Sequence, residues 1–203
     1  MNEEVRITTQ MRFDKMMDGV KGHLDREGHP VLDSHYTGII KRILKATKAK
    51  KIMEIGMNAG HTVVGFLDAD EDVVVHAIDI CDYDHVHACA SRIMKTYGKS
   101  RFNFGEMDST TMGLRSLEGY DLVRIDGGHS TEVLQQDCIR AIESKVPWII
   151  IDDMDMRNVR EFVSNHILEN GNCPYINAGK SIYNNSDGGH TYQILLERIS
   201  EEV

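Results

Sequence analysis

Proline is scarce in this chain, with 3 residues in 203. With 17 glycines besides, composition leaves no room for a Pro-rich linker or a low-complexity tail. No stretch approaches the roughly 20 consecutive apolar residues of a membrane span. The opening Met1-Asn2-Glu3-Glu4 is acidic and lacks the apolar core of a secretion signal. Cysteine is sparse too: Cys81, Cys89, Cys138 and Cys173 form no Cys-x-x-Cys pair and show no zinc spacing. They read as reduced, largely structural thiols of a cytoplasmic protein. A basic surplus is also missing, since 32 acidic residues face 23 basic ones for a net charge of −9. Such a chain repels phosphate backbones, which disfavours a general nucleic-acid binder and leaves only a local basic patch open.

What is present is an ordinary globular composition, 41% hydrophobic and 27% charged, long enough to bury a core without metal or disulfide staples. Residues 1–32 are polar and Met-spotted, with Met11, Met16 and Met17 near Phe13. They suit a short helix, a lid or a contact in a homo-oligomer. Residues 33–203 form the regular domain. Ser34 can cap a helix whose apolar face is Ile39, Ile40, Ile43 and Leu44. The lysines from Lys45 to Lys51 complement the dipole at its end. Strands then alternate with helices: Lys51 to Ile55, Val73 to Ile78, Phe102 to Gly105, Leu122 to Ile125 and Trp148 to Ile151, separated by helical patterns at His61 to Leu67, His85 to Met94 and Ser130 to Ser144. Val159, Phe162, Val163 and Ile167 mark one more helix. This alternation predicts right-handed βαβ units on a parallel sheet. The last two strands, Tyr175 to Tyr183 and His190 to Glu197, are joined by the turn-forming Asn184-Asn185-Ser186-Asp187-Gly188-Gly189 and should pair antiparallel. The fold expected is α/β: a Rossmann-like, doubly wound, mostly parallel seven-stranded sheet closed by an antiparallel hairpin.

Ligands of open parallel sheets bind at the carboxyl ends of the strands. In Glu54-Ile55-Gly56-Met57-Asn58-Ala59-Gly60-His61-Thr62 the two glycines permit a tight strand-to-helix turn, and Asn58 tolerates a left-handed backbone. The middle glycine of a dinucleotide loop is absent, and Glu54 suits an ammonium better than a phosphate. A plain turn is the alternative. Asp79 ends the next strand and can accept from both hydroxyls of a ribose, or it is a solvated strand-end acid. Asp126, Asp152 and Asp153 end neighbouring strands. Three converging carboxylates repel one another unless something neutralises them, and a hard divalent cation such as Mg²⁺ would do so. Capping of the following helix is the other reading of Asp152 and Asp153. His129, after Gly127-Gly128, is a candidate base or a packing residue. His85 and His87 have no accompanying ligand pattern and read as non-ligands. Cys81 reads as a structural thiol that could line a nucleoside pocket.

The ordered set of glycine loop, Asp79, Asp126-Gly127-Gly128-His129-Ser130 and Ile151-Asp152-Asp153 resembles the class I S-adenosylmethionine-dependent methyltransferases. Within them it is similar to the methyltransferase domain 24 family and to Mg-dependent O-methyltransferases. The resemblance covers roughly residues 33–197. It implies that Gly56, Met57, Asn58 and Gly60, continuing into His61 and Thr62, face the methionine half of the cofactor, with Glu54 beneath. It implies that Asp79, with Ile80, holds the ribose and that Asp108 and Ser109 flank the adenine. Asp126 would touch the cofactor and, with Asp152 and Asp153, the metal.

The expected activity is methyl transfer from S-adenosylmethionine to a hydroxyl of a small molecule. The metal would acidify that hydroxyl, and Asp126 or His129 would take its proton. A metal-independent methyltransferase, a nicotinamide-dependent oxidoreductase and a non-catalytic nucleoside-binding module are the competing readings. The missing glycine and the closing hairpin count against the oxidoreductase.

Overall fold

A computed structural model describes residues 8–22 and 29–199, and the following statements concern those residues. The parts of the 1–32 segment beyond them, and any lid they would form, lie outside the described residues. The strands are β1 (Lys51–Ile55), β2 (Val74–Asp79), β3 (Phe102–Glu106), β4 (Leu122–Ile125), β5 (Trp148–Ile151), β6 (Tyr175–Asn184) and β7 (His190–Arg198). They form one sheet in the order β3-β2-β1-β4-β5-β7-β6. The first five run parallel, while β7 is antiparallel to both β5 and β6. The chain reverses its direction of growth after β3, so a crevice opens between β1 and β4, where such sheets bind ligands.

The helices are α1 (Thr9–Met17), α2 (Ser34–Thr47), α3 (His61–Ala69), α4 (His85–Tyr97), α5 (Thr131–Glu143) and α6 (Arg157–Val163). Two apolar cores flank the sheet. One joins α1 to α4 through Phe13, Tyr36, Ile40, Phe66 and Ile93. The other joins α5 and α6 through Leu134, Cys138, Val159 and Phe162. Helices on both faces require the central strands to be apolar almost throughout, which is why β5 reads Trp-Ile-Ile-Ile. Two charges break the rule. Glu54 in β1 and Arg124 in β4 are both buried, and they are register partners across the ladder.

Local chemistry refines two expectations. Helix α2 is capped by Asp33, whose carboxylate accepts from the Tyr36 amide at 2.8 Å; Ser34 is already helical. The extended backbone of Asp33 puts its oxygen over the third helical amide, the ordinary capping geometry. Helix α1 packs on α3 and α4, with Phe13, Met16 and Met17 buried. These residues are therefore part of a wall of the domain. Residues 29–31 lie along the closing hairpin, with Val31 donating to the Asn184 carbonyl at 3.1 Å and Ser186 donating to that of His29 at 3.0 Å. No described helix is long and apolar enough to cross a membrane.

Gly56 is where the fold is least forgiving. Its φ is +87°, and a Cβ there would overlap the Asp126 carbonyl and lie 2.8 Å from Gly127 Cα. Gly56→Ala is expected to cost at least about 1–3 kcal/mol in urea unfolding, because strained backbone and an immovable neighbour combine. A variant as stable as the parent would show that the two loops do not touch as described.

Candidate active site

A cavity of about 670 Å³ opens at the carboxyl ends of the parallel strands. All the expected cofactor residues line it: Glu54, Gly56, Met57, Asn58, His61, Thr62, Asp79, Ile80, Asp108, Ser109 and Asp126, with one exception. Gly60 sits behind the lining as the left-handed N-cap of α3, where a side chain would strike Ile93.

The loop after β1 is shaped by Asp79. Its Oδ2 accepts from the amides of Met57 and Asn58 at 2.9 and 2.8 Å, and its Oδ1 accepts from that of Cys81 at 2.8 Å. A carboxylate offers about four acceptor positions, so three are used on the protein itself. Asn58 adopts the left-handed conformation at φ +48°, and its side-chain oxygen meets His85 Nε2 at 2.6 Å. His61 lies between the rings of Phe13 and His29, while Thr62 shares a hydrogen bond with the Tyr36 hydroxyl at 2.9 Å. Asp108 caps the short turn Ser109–Thr111, accepting from the Thr110 amide at 2.8 Å, and Ser109 donates to Asp137 at 3.1 Å.

The acids expected to hold a metal are arranged differently. Arg124, buried in mid-strand, donates through Nη1 to Glu54 at 2.8 Å and to Asp126 at 2.6 Å, and through Nη2 to Asp152. Asp152 also accepts from the Tyr183 hydroxyl at 2.6 Å and from the Asp153 amide at 3.0 Å. It is buried and does not line the cavity. Asp153, at φ +55°, turns the other way and pairs with His129 Nε2 at 2.8 Å. The group facing the cavity is thus Asp126, His129 and Asp153, whose ligand atoms lie within 4.8 Å of one another. Mg²⁺ favours a near-octahedral oxygen shell. The Asp126, Asp152 and Asp153 set does not fit it, because Asp152 is turned behind the cavity wall onto Arg124 and Tyr183 while Asp153 faces His129. Neither Asp152 nor Asp153 caps α6, whose N-cap is Met156.

Arg124 was the residue that sequence reasoning missed. Its signal was present: a lone cation inside Leu122-Val123-Arg124-Ile125, opposite the lone anion of β1. Tyr183, which closes the network from the hairpin, left no comparable trace.

One guanidinium faces three carboxylates in a place shielded from water. Burial therefore pushes Glu54 up to about 7, against the pull of Arg124. Burial also raises Asp126 and Asp152, again opposed by Arg124. Because Glu54 binds its proton more tightly folded than unfolded, its contribution to stability is complete below its ordinary value of 4.5 and is lost as pH rises through about 7. Thermal midpoints of the parent should fall across that window. Glu54→Gln, which mimics the protonated acid, should flatten the fall, and an unchanged slope would exclude Glu54 as its source. Arg124→Met should cost about 3–5 kcal/mol in chemical unfolding, since it strands buried carboxylates without a partner.

No protein-family profile matches the chain, and no curated protein does. Solved structures do match. The O-methyltransferase TomG of Streptomyces achromogenes, involved in tomaymycin synthesis and solved with S-adenosylmethionine, aligns at TM-score 0.63 and 14% identity over 98% of this chain and 100% of its own. A Bacillus cereus O-methyltransferase with S-adenosylhomocysteine aligns at TM-score 0.66 and 13% identity over 94% and 90%. A Pyrococcus horikoshii chain assigned provisionally as an RNA methyltransferase aligns at 0.66 and 11% over 98% and 100%. At these identities the likeness is one of fold: the chain has the Rossmann-like architecture of the class I methyltransferases.

Proposed function

We propose that this protein transfers a methyl group from S-adenosylmethionine to a hydroxyl of a small, non-phosphorylated molecule, with His129 and Asp153 removing the proton. The observation that carries this reading is the pairing of a glycine-cradled, acid-lined cofactor cleft with a His–Asp dyad on the wall of the same cavity. The match in fold to methyltransferases solved with their cofactor supports it.

The cleft fits the cofactor by its own chemistry. Glu54 Oε2 is buried, lines the cavity wall and has no hydrogen-bond partner among the described residues, so it suits the donor groups of an ammonium. Asp79 keeps one acceptor position for a ribose hydroxyl. When bound, S-adenosylmethionine supplies an electrophilic methyl on a sulfonium. The chain has then to orient an acceptor hydroxyl and take its proton. The Asp153 carboxylate holds the imidazole of His129 by Nε2 at the cavity wall, where the pair can serve as a base. Positioning supplies most of the remaining rate, because methyl transfer from a sulfonium needs little further activation. Arg124 offsets part of the charge at the strand ends, and proton removal by the His129–Asp153 pair needs no metal step.

The lining also selects among acceptors. Glu54, Asp79, Asp82, Asp108, Asp126, Asp153, Asp155 and Asp187 face the cavity, and no Lys or Arg lines it among the described residues. A phosphate would meet repulsion at every side. This weighs against nucleic acid and phosphorylated acceptors. It weighs equally against a nicotinamide dinucleotide, whose pyrophosphate would lie opposite the same acids.

Calorimetry should show binding of S-adenosylmethionine and none of NAD; the reverse would overturn the proposal. Given an acceptor, His129→Ala should lower kcat by about 10²–10⁴-fold while leaving cofactor affinity unchanged. EDTA treatment should leave methyl transfer intact, and a requirement for added Mg²⁺ would refute the role given to Arg124.

A further inference from the structure

Cys81 and His87 lie six residues apart and Glu106 nineteen further on, and the three form no recognised metal-binding motif. The fold brings them together from three elements: the loop after β2, the first turn of α4 and the last residue of β3. Each offers one ligand atom, and the three atoms lie within 4.8 Å of one another. We propose that Cys81, His87 and Glu106 form a binding site for a borderline-soft divalent cation of the zinc type, on the rim of the cofactor cavity.

Four observations carry this. First, the donor set is one thiol, one imidazole and one carboxylate, the mixture that zinc accepts and that magnesium and calcium do not favour. Second, one ligand pair already stands at the right spacing. Two ligands bound at about 2.0–2.1 Å with a tetrahedral angle between them stand about 3.3 Å apart. His87 Nε2 and Glu106 Oε2 are 3.2 Å apart.

Third, the thiol is held in place. Cys81 adopts a left-handed backbone at φ +63°, which a non-glycine residue enters only when its surroundings impose it. Its amide donates to Asp79 Oδ1 at 2.8 Å, and its sulfur lies 3.7 Å from the Asp79 carbonyl oxygen. Glu106 is the register partner of Asp79 across the β2–β3 ladder, so one strand end anchors both ligands.

Fourth, the local field is negative. Asp79, Asp82 and Glu106 carry negative charge beside the thiol. Such charge attracts a cation, and binding would release the thiol proton to solvent as the metal–sulfur bond forms. Three protein ligands leave a fourth position for water, which is the pattern of an open site.

The site differs from the Asp126, His129 and Asp153 group by its sulfur, which makes it separable by spectroscopy. Metal-stripped full-length protein would be titrated with Co²⁺ under reducing conditions. The expected result is a thiolate-to-cobalt charge-transfer band that saturates at one equivalent and is bleached by Zn²⁺. Cys81→Ser should abolish the band. His87→Gln and Glu106→Gln should each weaken Co²⁺ binding by about tenfold or more. His129→Ala should leave it unchanged. Circular dichroism would show that each variant is folded. The absence of a band in the folded parent, or its persistence in Cys81→Ser, would overturn the proposal. Undiminished affinity in either glutamine variant would overturn this ligand set.

Discussion

The guanidinium of Arg124 is the interaction on which the carboxyl edge of the sheet depends. It reaches from β4 to acids that follow or belong to β1, β4 and β5. Those strands are neighbours in the sheet. Parallel strands are held by a backbone ladder that ends where the loops begin, and loops are otherwise free to splay. Here one side chain fixes three strand ends at once, in a low-dielectric place where each contact is strong and each missing partner costly. Tyr183 extends the same network to the hairpin, so the hairpin side of the cavity is tied to the strand ends through Asp152.

Asp79 has a matching role on the other flank. By accepting three backbone amides it sets the turn after β1 and the turn after β2 together. Arg124 and Asp79 thus tie the loops on the two flanks of the cavity, and they do so with opposite charges. The cavity lining is acidic, and Arg124 behind it is engaged by the strand-end acids. That residual charge, more than the sheet topology, is what distinguishes a cationic cofactor from an anionic one on a fold that many enzymes share.

Much of this was legible in the sequence, and the parts that were not share a cause. Strand ends could be placed because apolar runs stop at Gly56, Asp79, Asp126 and Asp152. The closing hairpin could be placed because turn residues cluster from Asn184 to Gly189. The convergence of acids was legible for the same reason. Their neutraliser was not, because a buried arginine in a short strand resembles an edge residue until its cross-strand partner is known. The same limit hid the split between Asp152 and Asp153. Adjacent residues point in opposite directions, and only the backbone reversal at Asp153 decides which one meets solvent. It also hid the grouping of Cys81, His87 and Glu106, which depends on three elements meeting in space.

The clasp between residues 29–31 and the closing hairpin has a consequence for how the cavity comes into being. His29 and Ser186 meet across 157 positions of chain. The half-site built from β1, β2 and α4 uses contacts between nearby segments, which carry little loop-closure entropy. The acceptor wall uses some of the longest-range contacts in the molecule, and such contacts are slow to form. The hairpin side of the cavity therefore takes its final outline only when distant stretches of polypeptide find each other.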